Sequence, residues 1–490
     1  MKSGQAPAKR DRPVNGERSS PKRTGRRVRR AELVAGTRRE SSKLSQRWRL
    51  IQAMIELSAD SGHQDVSIAQ LCAGAGVSQQ TFYEQFADKE DVLIGAYRAS
   101  AEGLFGQMRS AVADGEASDV PRRALQALLG AVASDPDAGR VLFIEAMGGG
   151  ERMLGERTRA FGRFERRAEE LLQRTPRDAH TLDVPVIAVV GALRHIVSRH
   201  LRNYEEDELP SRLDDGLAWL YSYARAPGLE RWSTSGKGLL ERPPVSAVIP
   251  RQTARPERLP PGRHGLPAGM VARHQRTRLI TATAEMMMAK GYASTTVEDI
   301  ATRARVTKPV FYRYFSDKQH AFLEAQQYPT QFILDRCAEA YYSAAEWPER
   351  LWRMLGVLIE MIASNPPVSH LRLVECYSAG PVASRRAEEI TRAFTIFLEE
   401  GYHYGAKMGK LPRLSLQAIT GAIFEIVQRH VAQGEWDELA RHVPQLAYIA
   451  LAPFIGTEEA IGRIEQLVSA TSALGRCTVE TEALEHASGA

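Results

Sequence analysis

Residues Ile68–Leu93 read IAQLCAGAGVSQQTFYEQFADKEDVL, and Ile300–Leu323 read IATRARVTKPVFYRYFSDKQHAFL. Within each, a Phe-Tyr pair, a second Phe and an Asp-Lys step recur at the same spacing: Phe82, Tyr83, Phe86, Asp88 and Lys89, then Phe311, Tyr312, Phe315, Asp317 and Lys318. Upstream, apolar residues at Leu50, Ile51, Met54, Ile55 and Leu57 follow helical spacing and stop near Gly62. Ser67 with Gln70, and Thr296 with Asp299, form capping-box patterns for a short second helix. Gly74 and Gly76 supply a tight turn, after which Ser78 caps a third short helix and Asp88 starts a fourth. In the second stretch Thr307 caps KPVFYRYF, with Pro309 in the first turn where a missing N–H does little harm, and Ser316 with Gln319 opens the fourth helix.

The likeness extends well beyond these stretches. Arg47–Leu93 and Arg276–Phe322 align without a gap at an offset of 229, with about 14 of 47 positions identical. Average composition alone gives roughly 5–6% identity. At an offset of 230, SDPDAGRVLFIEAMGG (Ser134–Gly149) pairs with SNPPVSHLRLVECYSA (Ser364–Ala379), and VVGALRHIVSRHL (Val189–Leu201) with ITGAIFEIVQRHV (Ile419–Val431). The chain is a duplication of an N-terminal module plus a longer helical domain.

The expected organisation is a basic arm at 1–46, a first module at 47–93 and a first helical domain at 94–225. A Pro/Gly-rich linker at 226–270, a second module at 271–322, a second helical domain at 323–474 and a tail at 475–490 complete it. The linker holds eight prolines and six glycines; as coil, its 45 residues span about 35–40 Å. The arm carries 14 Lys/Arg against four acids, so the rest of a chain of net charge +6 is slightly acidic. Such an arm fits attraction to a polyanion, nucleic acid being the commonest; a solvated tail without a partner is the alternative.

Length favours two or more domains, and 43% hydrophobic with 25% charged residues is a globular composition. There is no long apolar run and no apolar leader, and the scattered cysteines (Cys72, Cys337, Cys376, Cys477) lack metal spacing. A cytoplasmic protein without cofactor or metal is expected. No G-x-S-x-G, H-E-x-x-H or phosphate-cradling glycine loop is present, so no enzyme is expected; the run GGGER at Gly148–Arg152 reads as a loop.

Two short helices joined by a tight turn form a helix-turn-helix, whose second helix offers its N-terminal residues to base edges. The exposed candidates are Gln79, Gln80 and Thr81 in the first module, and Lys308, Pro309 and Val310 in the second. Gln pairs with adenine, Lys with guanine acceptors, and Thr or Val touches the thymine methyl. Ser67, Thr296, Lys89 and Lys318 are placed for phosphate contacts at helix N-termini, as are the capping residues Ser78 and Thr307.

Both stretches resemble the DNA-binding domain of the tetracycline-repressor (TetR/AcrR) family of bacterial regulators. The second module matches closely, down to Tyr314 before Phe315; the first departs at Ser67, Gln85 and Cys72-Ala73-Gly74. The resemblance implies an all-α fold of two units, each a three-helix DNA-binding domain followed by a helical ligand-binding and dimerisation domain. It implies that Tyr83 and Tyr312 lean on phosphate, with packing the alternative, that Lys89 and Lys318 donate to the DNA backbone, and that Phe82, Phe86, Phe311 and Phe315 are core. It further implies a double-stranded DNA operator, a small-molecule effector that releases it, and pairing through the last two helices of each domain (Val186–Arg202 with Ser211–Arg225; Leu416–Gln433 with Glu435–Phe454). The two halves pair within one chain as a pseudo-dimer on unlike half-sites, or whole chains form a homodimer. A DNA-organising or interaction factor that relies on the basic arm is the alternative. Gly191 and Gly421 are small residues that would let helices approach closely. His200 and His430 fit satisfied core or interface positions. Glu145 and Glu375 fit either a buried ion pair or a pocket acid. Met286–Met288 reads as core.

Overall fold

The computed structural model describes residues 43–113, 119–173, 181–225, 266–328, 330–405 and 411–470. Most of the basic arm, most of the linker, the tail and Cys477 lie outside them. The described residues are helical apart from one antiparallel pair of two-residue strands, β1 (Thr181–Leu182) and β2 (Ala224–Arg225), with Thr181 opposite Arg225. No described helix is long and apolar enough to cross a membrane.

The first unit contains α1 (Lys43–Ser61), α2 (Ile68–Ala75), α3 (Gln79–Gln85) and α4 (Lys89–Ala113). Next come α5 (Val120–Ser134), α6 (Pro136–Phe143), α7 (Glu151–Gln173), α8 (Val186–Asn203) and α9 (Leu213–Tyr221). The second unit repeats the order: α10 (Ala268–Ser294), α11 (Val297–Ala304), α12 (Lys308–Tyr314) and α13 (Lys318–Gln327), then α14 (Thr330–Tyr342) and α15 (Trp347–Ser364). It continues with α16 (Pro366–His370), α17 (Pro381–Ala393), α18 (Leu414–Gln433) and α19 (Val443–Ile455).

Several long helices are broken. The apolar spacing of the sequence also predicts one helix over Ala383–Gly401, which in the structure divides into α17, a 3-10 stretch at Phe394–Leu398 and one turn at Gly401–Tyr404. Glu435–Phe454 begins as a 3-10 turn at Leu439–His442, and Ser211–Arg225 is shortened to α9 between a 3-10 segment and β2. Periodicity finds the buried face, but 3-10 and α turns place neighbouring side chains too similarly to be separated by it.

In the first module Leu50, Met54, Leu71, Phe82 and Phe86 are fully buried and pack into one core with α4. In the second, Leu279, Met287, Ile300, Phe311 and Phe315 do the same. Of the methionine run, Met287 is core, Met286 packs at its margin and Met288 is exposed. A third core joins the halves: Ala188, Ala192, Ile196, Trp219 and Tyr223 of the first unit pack with Ile419, Ile426, Leu446 and Tyr448 of the second. The Tyr223 hydroxyl donates to the Ile449 carbonyl at 2.8 Å across this seam.

The seam is made where α8 crosses α18. A Cβ placed on Gly191 would stand 2.3 Å from Glu425 Cβ, and one on Gly421 would stand 2.6 Å from His195 Cβ. Gly191 and Gly421 are equivalent by the 230-residue offset, and so are His195 and Glu425. The crossing is therefore reciprocal in shape, but its charges are not. Arg194 Nε donates to Glu425 Oε2 at 2.7 Å, with both side chains buried. Burial opposes ionisation of Glu425, but Arg194 and Arg157 outweigh it and hold its carboxyl below the ordinary range. Burial and the cluster Arg194, Arg202, Arg199 and Arg392 lower His195 to about 3, so it stays neutral. Further out, Arg429 pairs with Glu165 at 2.6 Å, and Arg202 with Glu388.

Candidate nucleic-acid interface

Each short helix of the modules starts where a side chain takes up the N–H groups a helix leaves unpaired. Ser67 Oγ accepts from Gln70 N at 3.2 Å while Gln70 Oε1 accepts from Ser67 N at 2.8 Å. Thr296 and Asp299 reproduce this box at 3.1 and 2.9 Å. Such a cap stabilises a helix by about 1 kcal/mol. Ser78 Oγ accepts from Thr81 N at 3.1 Å. Thr307 does not follow: it occupies the cap position but its side chain makes no capping bond. Pro309 has no N–H to offer, and the N–H of Val310 goes to the Thr307 carbonyl at 3.0 Å.

The fourth helices are capped by aspartates. Asp88 Oδ1 accepts from Asp91 N at 2.8 Å, and Asp317 Oδ1 from His320 N at 2.7 Å. Ser316 and Gln319 therefore do not form the expected cap; Ser316 Oγ instead donates to Asp317 Oδ2 at 2.9 Å. The turn residue also differs from expectation. Gly74 lies inside α2, and Gly76 alone makes the left-handed turn, at φ 62°. Its equivalent is Arg305, at φ 53°, a conformation that costs a residue with a Cβ roughly 1–2 kcal/mol. Arg305 is exposed in the turn between α11 and α12, a cation position that propensity rules do not flag.

Around this frame Ser78, Gln79 and Gln80 are exposed and Thr81 is half-buried, its hydroxyl 3.0 Å from that of Ser78. Gln80 Nε2 reaches Glu84 at 3.3 Å. Thr307, Lys308 and Pro309 are exposed and Val310 half-buried; Lys308 Nζ lies 2.8 Å from Glu298. Ser67 and Thr296 are exposed at the starts of α2 and α11. Tyr83 and Tyr312 are 59% and 56% exposed, while Phe82 and Phe311 beside them are fully buried. Each tyrosine meets its neighbouring Phe edge to face, at 5.2 and 5.4 Å between ring centres, so the buried ring orients the exposed one.

Lys89 and Lys318 are used inside the fold. Lys89 Nζ donates to Gln64 O at 2.8 Å; Lys318 Nζ donates to Tyr292 O at 2.7 Å and stands 4.3 Å from the Tyr292 ring centre. Desolvation lowers the pKa of both. They staple the end of the first helix to the start of the fourth.

A second staple, invisible in the sequence, ties each module to its own helical domain. Glu145 Oε2 accepts from His63 N at 2.8 Å and lies 2.7 Å from His63 Nδ1. Glu375 Oε2 accepts from Tyr292 N at 2.6 Å. His63 and Tyr292 are equivalent positions, each following a glycine with positive φ. Glu145 thus meets the ion-pair reading through His63, whereas Glu375 accepts from backbone; both hold the chain as it leaves the first helix. His200 is buried with Nδ1 2.8 Å from the Ile196 carbonyl, whereas His430 meets Glu435 at 2.6 Å. The glycine run is a point of contact between units, since a Cβ at Gly148 would lie 2.5 Å from the Tyr377 carbonyl. Cys72, Cys337 and Cys376 are buried free thiols.

Residues 50–96 and 279–325 match the family model described as bacterial regulatory proteins, tetR family. The HTH-type transcriptional activator FasR of Mycolicibacterium smegmatis is 21% identical over 155 residues, covering 32% of this chain and 59% of that protein. Among solved structures, the fatty acid degradation regulator FadR of Bacillus halodurans is similar at 19% identity and TM-score 0.33, over 36% of this chain and 94% of that one. FadR of Bacillus subtilis in complex with stearoyl-CoA is similar at 17% identity and TM-score 0.33, over 36% and 96%. The chain is thus a tandem of two TetR-like units, each opening with a module that matches the tetR family of bacterial regulatory proteins.

Proposed function

We propose that the chain is a sequence-specific transcriptional repressor whose two units act as an intramolecular pseudo-dimer on double-stranded DNA and let go when a small-molecule effector binds. The observation that carries the pairing is the reciprocal Gly191/Gly421 crossing closed by the buried Arg194–Glu425 pair. The bond specifies unlike partners. In a pair of first units, Arg194 would face His195; in a pair of second units, Phe424 would face Glu425. Neither supplies the opposite charge a buried ion needs.

The reading heads differ accordingly. Gln79, Gln80 and Thr81 face one half-site, and Lys308, Pro309 and Val310 the other, with Tyr83 and Tyr312 on phosphate. Effector release follows from α4, which starts at the module with Lys89 and ends in the helical domain at Ala113. A ligand favouring one position of its far end biases the position of the reading head.

Selection of bound sequences from a random pool is the direct test. The expected product is a site with two unlike halves, each altered by mutating one module; a true palindrome would refute the pairing. Light scattering with a mass near one chain supports the pseudo-dimer, and twice that mass a homodimer. Removing residues 1–46 leaves sequence-specific binding in place if the modules carry it. Transcription of the target rises in a deletion strain for a repressor and falls for an activator.

A further inference from the structure

The two units differ most where their helical domains are hollow. In the first unit a cavity of about 640 Å³ lies among α4, α5, α7, α8 and α9. Its wall is mainly apolar, Phe105, Leu128, Phe164 and Trp219 among the contributors, and Arg98, Arg109, Arg163 and Arg167 also line it. Arg98 is committed to Glu156 at 2.7 Å. Arg109, Arg163 and Arg167 make no ion pair among the described residues and are exposed.

The equivalent space in the second unit is filled. By the offsets that relate the halves, Ala160, Arg163, Arg167 and Gly216 become Ile390, Ala393, Phe397 and Leu446, and Val112 becomes Tyr341. Leu446, Phe397 and Tyr341 are buried. The filling is pinned: the Tyr341 hydroxyl donates to Glu400 at 2.8 Å, and Trp347 Nε1 donates to the Phe397 carbonyl at 3.1 Å. What space remains beside Leu358, Ile390 and Phe394 is about 120 Å³. The four arginines are not repeated, since Arg98, Arg109, Arg163 and Arg167 correspond to Gln327, Ala338, Ala393 and Phe397; the remaining space is bordered instead by Arg372 and Glu388 of its own unit and by Arg194, which is committed to Glu425. The lever differs too: α4 is continuous over Lys89–Ala113, whereas its counterpart ends at Gln327 and resumes at Thr330. Pro329 lies in that interval of the sequence.

We propose that effector sensing is confined to the first unit, whose cavity takes one molecule with an apolar body and an anionic head per chain. The second unit reads DNA and completes the pair without a ligand of its own. Apolar walls with a few convergent charges are the usual composition of a ligand site, and this volume lies in the usual range. The anionic head follows from the arginines, which a carboxylate or phosphate matches in geometry and charge. This rests on the effector-controlled reading above, so DNA binding and ligand binding are measured separately.

The test uses the full chain with palmitate, palmitoyl-CoA and the neutral 16-carbon alcohol as probes, in titration calorimetry and in competition with operator DNA. One anionic probe molecule per chain is expected, bound at least tenfold more tightly than the alcohol. Palmitate alone, or the thioester alone, distinguishes a carboxylate head from a phosphate-bearing one, and either result supports the proposal. Gly216→Leu and Ala160→Ile install the residues of the second unit and are expected to abolish probe binding while DNA affinity and melting temperature persist. Arg163→Ala with Arg167→Phe is expected to erase the preference for a charged head. Two molecules per chain, equal binding of the alcohol, binding that survives the filling variants, or no binding of any probe would each overturn the proposal. Failure of the chain to bind DNA at all would overturn the regulatory reading instead.

Discussion

Lys318, a candidate phosphate contact by sequence, is used inside the fold. Its ammonium holds the carbonyl and ring of Tyr292 at the root of the reading head. Lys318→Ala is therefore expected to cost about 1 kcal/mol of stability and to weaken DNA binding across all sequences, read by thermal melting and by titration against unrelated duplexes. Lys308 is exposed and bonded only to the exposed Glu298 among the described residues, so Lys308→Ala is expected to leave melting unchanged and to relax base preference at one half-site. Tyr312→Phe removes a hydroxyl from an exposed ring and is expected to reduce affinity uniformly without loss of stability. Residue types and spacings made these candidates visible in the sequence. The internal bonds of Lys89 and Lys318 were not visible, because their partners are backbone carbonyls, which every residue carries.

At the scale of elements, the α8–α18 crossing concentrates the energetics. Gly421→Val places a side chain against the Gly191 carbonyl and His195, and overpacking of this kind costs about 1–3 kcal/mol. The expected readout is loss of pairing between separately purified halves, or a lower melting temperature of the chain. Arg194→Ala strands the buried Glu425 and is expected to cost about 3–5 kcal/mol, much of it recovered by adding Glu425→Leu. Acid acts on the same seam. His195 is lowered from 6.5 to about 3 in the fold, so the unfolded chain binds the extra proton first and stability falls as pH drops below 6.5 towards 3. Glu425, lowered from 4.5, adds stability above that value that disappears as pH falls through its lowered pKa. Urea melts at successive pH values are expected to show this loss, and His195→Gln to flatten its upper part.

For the whole molecule, duplication followed by divergence gives one chain two unlike helix-turn-helix modules, a seam closed by the unlike pair Arg194 and Glu425, and a large cavity in the first unit whose counterpart in the second is filled. A site with two different halves is the expected consequence of the unlike heads. The unlike cavities predict a simple hyperbolic effector response, without the cooperativity two equivalent sites produce. Titrating operator release against effector measures this directly; a Hill coefficient near two would contradict it.

The sequence by itself determined the repeat, the helical class, the short module helices and the buried Phe82, Phe86, Phe311 and Phe315. Each of these rests on local periodicity, capping chemistry or residue-by-residue identity. Only the tertiary structure decided which glycine makes the turn, that Asp317 rather than Ser316 caps the fourth helix, and that Glu145 and Glu375 tether the modules. It also decided that Arg194 meets Glu425 and that the second cavity is closed. Those features depend on residues tens to hundreds of positions apart, or on competition among neighbouring donors for one N–H. Spacing along the chain carries no record of such distances.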